Sequence, residues 1–271
     1  MNIKVVEKLG KEQGKKIVIL AGVHGDEVCG VRALDNLINK LKIRAGKVTF
    51  IYANLHAIRQ NKRFIEFNLN RCFLEEQPKE MADSLEGKTA IEIMPYLNEA
   101  DLMLDIHASY TKDSVPFVIC DESQIQHANI FNADYVVSNI DLYHSGSTDH
   151  FMNRQKKPGF CFECGYLEDL KTQKAAEDAI INFLSFTESI YRIVDYKKHQ
   201  TIFRITGIYK NKEPIFTIER NFLDFEKLKD ETLIGRDGFK EVYCKKGQIL
   251  LFVRDAKKAN EECFLIAEEM T

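Results

Sequence analysis

Ile17-Val18-Ile19-Leu20-Ala21-Gly22-Val23-His24-Gly25-Asp26-Glu27 decides how this chain folds. Its first four residues form a continuous apolar run of strand length, the pattern of a buried strand. Beyond Glu27, apolar residues recur at Val28, Val31, Leu34, Leu37, Ile38 and Leu41, the spacing of an amphipathic helix. His24 and Glu27 thus stand where a strand ends and a helix begins, the edge at which open α/β sheets bind ligands. The glycines of this stretch permit a tight turn and leave room for a close neighbour. His-x-x-Glu sets an imidazole and a carboxylate on one side of a turn, and both are ligand types of a catalytic zinc. The plain alternative is a helix start at which Asp26 and Glu27 favour the positive end of the dipole.

Outward from this stretch, Lys47–Asn54 reads as a second strand. Residues 55–77 are long for a connection, and such loops are usually functional. They carry Arg59, Lys62, Arg63, Asn68, Asn70 and Arg71, of which Arg59 and Lys62 are expected on a solvated surface. A helix is expected over Gly87–Asn98, with Pro95 complicating its end. Asp101–His107 reads as a strand whose alternation separates Leu102, Leu104 and Ile106 from Met103, Asp105 and His107. His107 then reaches the same kind of sheet edge as His24. Asp105 points the same way, either to hold the ring of a metal-bound histidine or to pair with an arginine.

Val115–Cys120 and Asp134–Asn139 are further strand candidates, and Ser145–Lys157 is a short helix that Pro158 and Gly159 end. Gly159–Gly165 reads as a buried strand holding one carboxylate, Glu163. A buried charge needs a reason, and desolvation would raise its pKa toward the range useful for proton transfer. A helix follows over about Leu170–Val194. The pattern changes near Lys197–Gln200. Short strands are then expected at Thr201–Tyr209, Ile215–Glu219, Glu241–Cys244, Ile249–Val253 and Phe264–Glu268, with turns at Gly235–Gly238 and Lys245–Gly247. The expected architecture is α/β: a mixed central sheet flanked by helices over residues 1–198, and a smaller β-rich domain over residues 199–271.

A net charge of -3 offers no electrostatic case for nucleic acid or an acidic membrane surface. No apolar run approaches the roughly 20 residues of a membrane span, and the first residues lack signal-peptide anatomy. Seven dispersed cysteines suit reduced thiols, so a cytoplasmic protein is expected. Cys161-x-x-Cys164 has metal or redox spacing, but strand alternation would send its two sulfurs to opposite faces. His56, His127, His144, His150 and His199 lack partners at motif spacing and read as surface or packing residues, with His144 and His150 nearest a prospective site wall.

Taken together, Gly22-x-His24-Gly25-Asp26-Glu27, Asn54-x-x-Ala57, Arg63, Asn68-Leu69-Asn70-Arg71-x-Phe73, Asp105-Ile106-His107 and Glu163-x-Gly165 resemble the succinylglutamate desuccinylase/aspartoacylase family, within the zinc carboxypeptidase-like clan. The likeness covers roughly residues 17–165 well and the C-terminal part in outline. It implies that His24, Glu27 and His107 bind one zinc ion per chain. It implies that Glu163 is the base for an attacking water and then the acid for the leaving amine. Arg63 would stabilise the oxyanion, and Asn70 and Arg71 would hold a carboxylate of a small-molecule substrate. Three protein ligands leave a position open for water, a cation opposes developing oxyanion charge, and guanidinium clamps carboxylate bidentately.

The pattern is altered at Asn68, where the family often has Asp, and at Cys161 and Cys164 beside Glu163. Tyr243 is a candidate by position for a tyrosine that reaches the substrate, and Arg154 for the basic residue that selects an acidic acyl group. The expected activity is hydrolysis of the amide bond of an N-acyl amino acid. The alternatives are a zinc metallocarboxypeptidase acting on a short peptide and a binding protein that has lost catalysis. The small C-terminal domain and the lack of an export signal favour the first, since the resemblance implies that this domain narrows the site mouth.

Overall fold

The computed structural model describes residues 1–193, 196, 197 and 199–270. In chain order the elements are β1 (Lys4–Leu9), β2 (Glu12–Ala21), α1 (Val28–Leu37), β3 (Ala45–Tyr52), α2 (Leu55–Gln60), α3 (Lys79–Asp83), α4 (Leu85–Glu99), β4 (Leu102–Ser109), β5 (Phe117–Cys120), β6 (Tyr135–Ser138), α5 (Thr148–Arg154), β7 (Gly159–Tyr166) and α6 (Thr172–Phe186). Seven strands follow: β8 (Thr201–Lys210), β9 (Phe216–Ile218), β10 (Glu226–Lys227), β11 (Thr232–Asp237), β12 (Lys240–Cys244), β13 (Ile249–Leu251) and β14 (Glu262–Glu269). Two expected boundaries, Val194 for the last helix and Lys198 for the first domain, lie outside the described residues.

Eleven strands form one mixed sheet in the order β1-β3-β2-β4-β7-β5-β6-β8-β14-β13-β10. Its centre is parallel: β2 pairs with β3 and β4, and β4 with β7. These strands are apolar on both sides because helices cover both sides. Ile17, Ile19, Leu104 and Ile106 pack with Ala33 and Leu34 of α1 and Ile180 and Phe183 of α6. Val18, Leu20 and Met103 pack with Ala90, Ile93 and Leu97 of α4 and Met152 of α5. The fold class is therefore the expected α/β architecture, with a second, three-stranded sheet β12-β11-β9.

The β-rich segment does not hang beside this sheet; it continues it. β8 runs parallel to β6, Tyr135 opposite Thr201 through Ser138 opposite Arg204, and β14, β13 and β10 add to the far edge. Gly235-Arg236-Asp237, expected in a turn, lies within β11 between β9 and β12. The turn is Gly238–Phe239, with Gly238 at φ +60. The absence of a side chain at Gly235 lets the strand pass Phe216, whose ring a Cβ would meet at 2.8 Å. Pro95 sits inside α4 rather than ending it; Ile91, whose carbonyl it leaves without an N–H partner, is exposed. No helix among the described residues is long and apolar enough to cross a membrane.

The long 55–77 segment is ordered by a group outside the expected set. Glu86, near the start of α4, is fully buried. Its carboxylate accepts from the backbone N–H groups of Ile65, Glu66 and Phe67 at 2.8, 3.1 and 3.1 Å and from Asn54 Nδ2 at 3.1 Å. Removing it leaves three backbone donors of the loop after Arg63 without their acceptor. Glu86→Ala is expected to cost about 3 kcal/mol of stability by loosening the loop that follows Arg63. A urea midpoint equal to that of the parent chain would refute this.

Candidate metal centre and substrate cavity

The sheet order explains how distant residues meet. β2, β4 and β7 are neighbours, with Ala21 opposite Ile106 and His107 opposite Glu163. Their C-terminal ends deliver His24, His107 and Glu163 to one edge. Gly22 takes φ +72 as β2 ends, and a Cβ on Gly25 would fall 2.2 Å from the Ala57 carbonyl carbon. That close approach lets the His24–Glu27 turn sit against α2. Glu27 does not act as a side-chain cap of α1; its carboxylate turns inward.

Both oxygens of that carboxylate are engaged. Oε1 lies 2.8 Å from His24 Nδ1 and accepts from Arg63 Nη1 at 2.8 Å. Oε2 lies 2.9 Å from His107 Nδ1 and accepts from the Ala108 N–H at 3.1 Å. The two imidazoles are 5.0 Å apart between ring centres, and all three side chains are buried. One ligand atom from each of His24, Glu27 and His107 lies within 4.8 Å of the others.

The protonation states of this group test whether a metal fits. Burial, helped by the Arg63 charge, pulls His24 down to about 4, so its ring is neutral with one N–H. Both ring nitrogens nevertheless face oxygen acceptors, Nδ1 toward Glu27 and Nε2 toward Asn68 Oδ1 at 3.0 Å. Asn68 Oδ1 also accepts from the Asn70 N–H at 2.9 Å, which marks that atom as the oxygen. Either tautomer of His24 therefore leaves one lone pair pointed at another. A cation at Nδ1 removes that conflict, and two imidazoles with one carboxylate are a donor set for zinc. His107 differs: burial lowers it, but Asp105 and Glu27 outweigh burial and hold it well above the usual value. Burial likewise works against an ionised Glu27, and His24 and His107 overcome it to keep Glu27 well below the carboxylate range.

Asp105 stands behind His107 as alternation required. Its Oδ2 is 3.0 Å from His107 Nε2, off the line of a full hydrogen bond, and accepts from Thr148 Oγ1 at 2.7 Å. Of its two expected roles, the structure gives the histidine contact. Glu163 faces the same cavity and is 8% exposed. Its Oε2 is buried with no partner among the described residues. Burial pushes it up to about 8, with His107 opposing. Cys161 and Cys164 diverge: Cys164 packs with Phe160 and Phe162, and Cys161 on the other face with Phe117 and Ile119. All seven cysteines are free and buried.

Around these groups is a cavity of about 620 Å³, its open mouth included, that also reaches Arg63, Asn70 and Arg71. Arg63 is held on Glu27 with its guanidinium 4.9 Å from the Tyr110 ring centre. Asn70 Oδ1 accepts from the Thr148 N–H at 3.2 Å, and Arg71 Nη1 donates to the Asn70 carbonyl at 2.7 Å. Arg154 does not line the cavity; it is exposed beside Glu75. Tyr243 is half exposed and donates to Glu241, also away from the cavity.

Several wall residues were not singled out by sequence. Tyr110 follows three residues after His107 and donates to Asp26 Oδ2 at 2.5 Å. Its loop is tied to the C-terminal segment by Asp224, which accepts from the hydroxyls of Ser109, Thr111 and Ser114 at 2.8, 2.9 and 2.7 Å. Arg254 and Glu262 come from that same segment, and His144, expected in a packing role, faces the cavity with them. Proximity to the His107 motif could have drawn attention to Tyr110. Nothing in the local pattern marks Arg254 or Glu262.

Comparison with known proteins bears on the family and the fold. The profile of the succinylglutamate desuccinylase/aspartoacylase catalytic domain matches residues 13–189. A succinylglutamate desuccinylase of Pseudomonas paraeruginosa is 34% identical over 67 residues, 23% of this chain and 20% of that protein. The matched stretch thus spans about a fifth of the length of such curated relatives. Among solved structures, succinylglutamate desuccinylase from Vibrio cholerae superposes with a TM-score of 0.81 at 18% identity, over 98% of this chain and 85% of that one. A succinylglutamate desuccinylase/aspartoacylase from Rhodobacter sphaeroides gives 0.75 at 18% identity, over 99% and 89%. These structures share the fold, and because the catalytic-domain profile covers well over half of its length, the chain belongs to the succinylglutamate desuccinylase/aspartoacylase family.

Proposed function

We propose that the protein is a zinc-dependent hydrolase that cleaves the amide bond of an N-acyl amino acid. The observation that carries this reading is the convergence of His24 Nδ1, Glu27 and His107 Nδ1 beside a buried carboxylate oxygen of Glu163 that has no partner among the described residues. His24, Glu27 and His107 would hold the ion, one per chain. Zinc there would serve as a Lewis acid, making water acidic enough to attack at neutral pH.

The chain's own groups do the rest. Glu163 Oε2 takes the proton of the attacking water and returns it to the leaving nitrogen, work suited to a carboxyl whose burial raises its pKa. Arg63, within the same cavity, opposes charge on the carbonyl oxygen as it develops. Asp105 keeps the His107 ring oriented. Arg71 and Asn70 take the carboxylate of the substrate, guanidinium matching it in two-point geometry. In this reading residues 1–198 carry the chemistry and residues 199–271 cap it, which the presence of Arg254 and Glu262 on the wall supports. Seven reduced, buried cysteines suit a cytoplasmic setting.

Screening the zinc-loaded protein against N-acetyl and N-succinyl amino acids and against dipeptides and tripeptides tests the reading. Amine release confined to the N-acyl amino acids is expected. Release of C-terminal residues from peptides would make the protein a metallocarboxypeptidase instead, and zinc binding without cleavage of any of them would make it a binding protein. Arg71→Ala is expected to raise KM for carboxylate-bearing substrates by at least about tenfold with a smaller change in kcat, since it removes binding rather than chemistry. An unchanged KM would take Arg71 out of the site.

A further inference from the structure

One carboxylate of the C-terminal segment serves the loop that follows His107. Asp224 lies in the turn before β10 and uses both of its oxygens. Oδ1 accepts from the Phe252 N–H at 2.8 Å and from Thr111 Oγ1 at 2.9 Å. Oδ2 accepts from Ser109 Oγ at 2.8 Å and from Ser114 Oγ at 2.7 Å. The turn is anchored on its other side. The Phe225 ring lies 5.1, 4.4 and 5.0 Å from the ring centres of Phe117, Tyr135 and Phe203, and its N–H donates to the Leu250 carbonyl at 2.8 Å. Asp224 is therefore a fixed point, to which three hydroxyls of one loop converge.

That loop carries Tyr110, between two of the pinned residues. Ser109 and Thr111 are buried, whereas Tyr110 is half-exposed and lines the cavity. Its hydroxyl is on Asp26 and its ring is against Arg63. Among the described residues the Arg63 guanidinium has one hydrogen-bond acceptor, Glu27 Oε1, and one ring, that of Tyr110. A single hydrogen bond leaves a planar group free to turn about it, and a ring at cation–π distance fixes its plane. We infer that Asp224 is a positioning residue for the reaction: it holds residues 109–114 so that Tyr110 orients Arg63. The part played by Arg63 rests on the deacylase reading; the hold on the loop does not. The C-terminal segment then completes the reacting end of the cavity rather than only covering it.

The test uses the full zinc-loaded chain and whichever N-acetyl or N-succinyl amino acid it cleaves fastest. Asp224→Ala is expected to lower kcat at least about tenfold, a part of what a whole oxyanion donor contributes. KM should stay within about twofold, and zinc content should not change. In a Tyr110→Ala background the same substitution is expected to change kcat by less than about twofold, because the two residues act in series. Asp224→Asn should stay within about threefold of the parent, since its amide keeps an acceptor for Phe252 and Thr111 and offers donors to the serine hydroxyls. Thr111→Val with Ser114→Ala removes two pins from the loop side; it serves if Asp224→Ala does not fold and should lower kcat likewise. Independently of turnover, hydrogen–deuterium exchange over residues 109–114 should be at least about tenfold faster in Asp224→Ala. An equal loss of kcat with and without Tyr110, loss of zinc, an Asn variant as slow as the Ala variant, or unchanged exchange of the loop would overturn the inference. Faster loop exchange in a parent-derived chain whose parent cleaves none of these amides would defeat the deacylase reading and take the reaction role of Asp224 with it, whereas unchanged exchange defeats the inference alone.

Discussion

Glu163→Gln is expected to leave the chain folded and zinc-loaded while lowering kcat by roughly a thousandfold, within the range that a positioned acid–base group contributes. The substitution keeps the shape and removes the proton acceptor. Because Oε2 of Glu163 has no hydrogen-bond partner among the described residues, no structural contact of that atom is lost with the charge. Elemental analysis should return the same zinc content as the parent, and the denaturation midpoint should be equal or higher, since a buried carboxylate has been replaced by a neutral amide. KM should move little. A kcat within tenfold of the parent would place the proton transfer on another group.

His107→Ala acts on the opposite half of the machinery. The expected result is loss of zinc, with affinity falling by more than about a hundredfold, the upper end for losing merely a supporting partner of a ligand. Equilibrium dialysis against a competing chelator measures it. The variant also strips the imidazole from beside Asp105, which is fully buried and otherwise held by Thr148. Leaving a buried polar group short of a partner costs about 1–3 kcal/mol, more when it is charged. His24→Ala separates the two effects, because His24 has neutral Asn68 rather than a carboxylate behind it. It should lose zinc with a smaller loss of stability. Stoichiometric zinc in both variants after dialysis would mean that the ligand set is wrong.

How much of this was legible in the sequence depended on the range of the interaction. β2, β4 and β7 announce themselves because strands covered on both faces are continuously apolar, and the charged residues at their ends stand out against that background. His24, Glu27, His107 and Glu163 were accessible for this reason, and the structure brings all four to one sheet edge. Arg254 and Glu262 sit among ordinary alternating strands near the end of the chain, where a charged residue has every reason to face water. The β8–β14 ladder turns Glu262 toward Arg71, and Arg254, in the connection before β14, is held to it through the Glu262 carbonyl. Glu86 was hidden in the same way: in the polar, acidic stretch before the helix expected from Gly87, a carboxylate reads as solvated surface, whereas this one serves a loop twenty residues upstream. Arg154 and Tyr243 are candidates by position alone, and they pair instead with surface carboxylates, Glu75 and Glu241, away from the cavity.

The unbroken sheet from β4 through β14 has a consequence for how ligands come and go. The floor that carries His107 and the wall that carries Glu262 are joined rung by rung through β7, β5, β6 and β8. A wall built this way cannot swing outward as a hinged lid does without tearing a ladder of backbone hydrogen bonds. Exchange of ligands is left to side chains and to the loops at the mouth, such as the Tyr110 loop pinned by Asp224. The sheet then fixes the floor and the far wall of the cavity, and the mouth is what can change its dimensions. Its selectivity would be settled at the threshold, in how fast a ligand gets in, as much as in how firmly it is held.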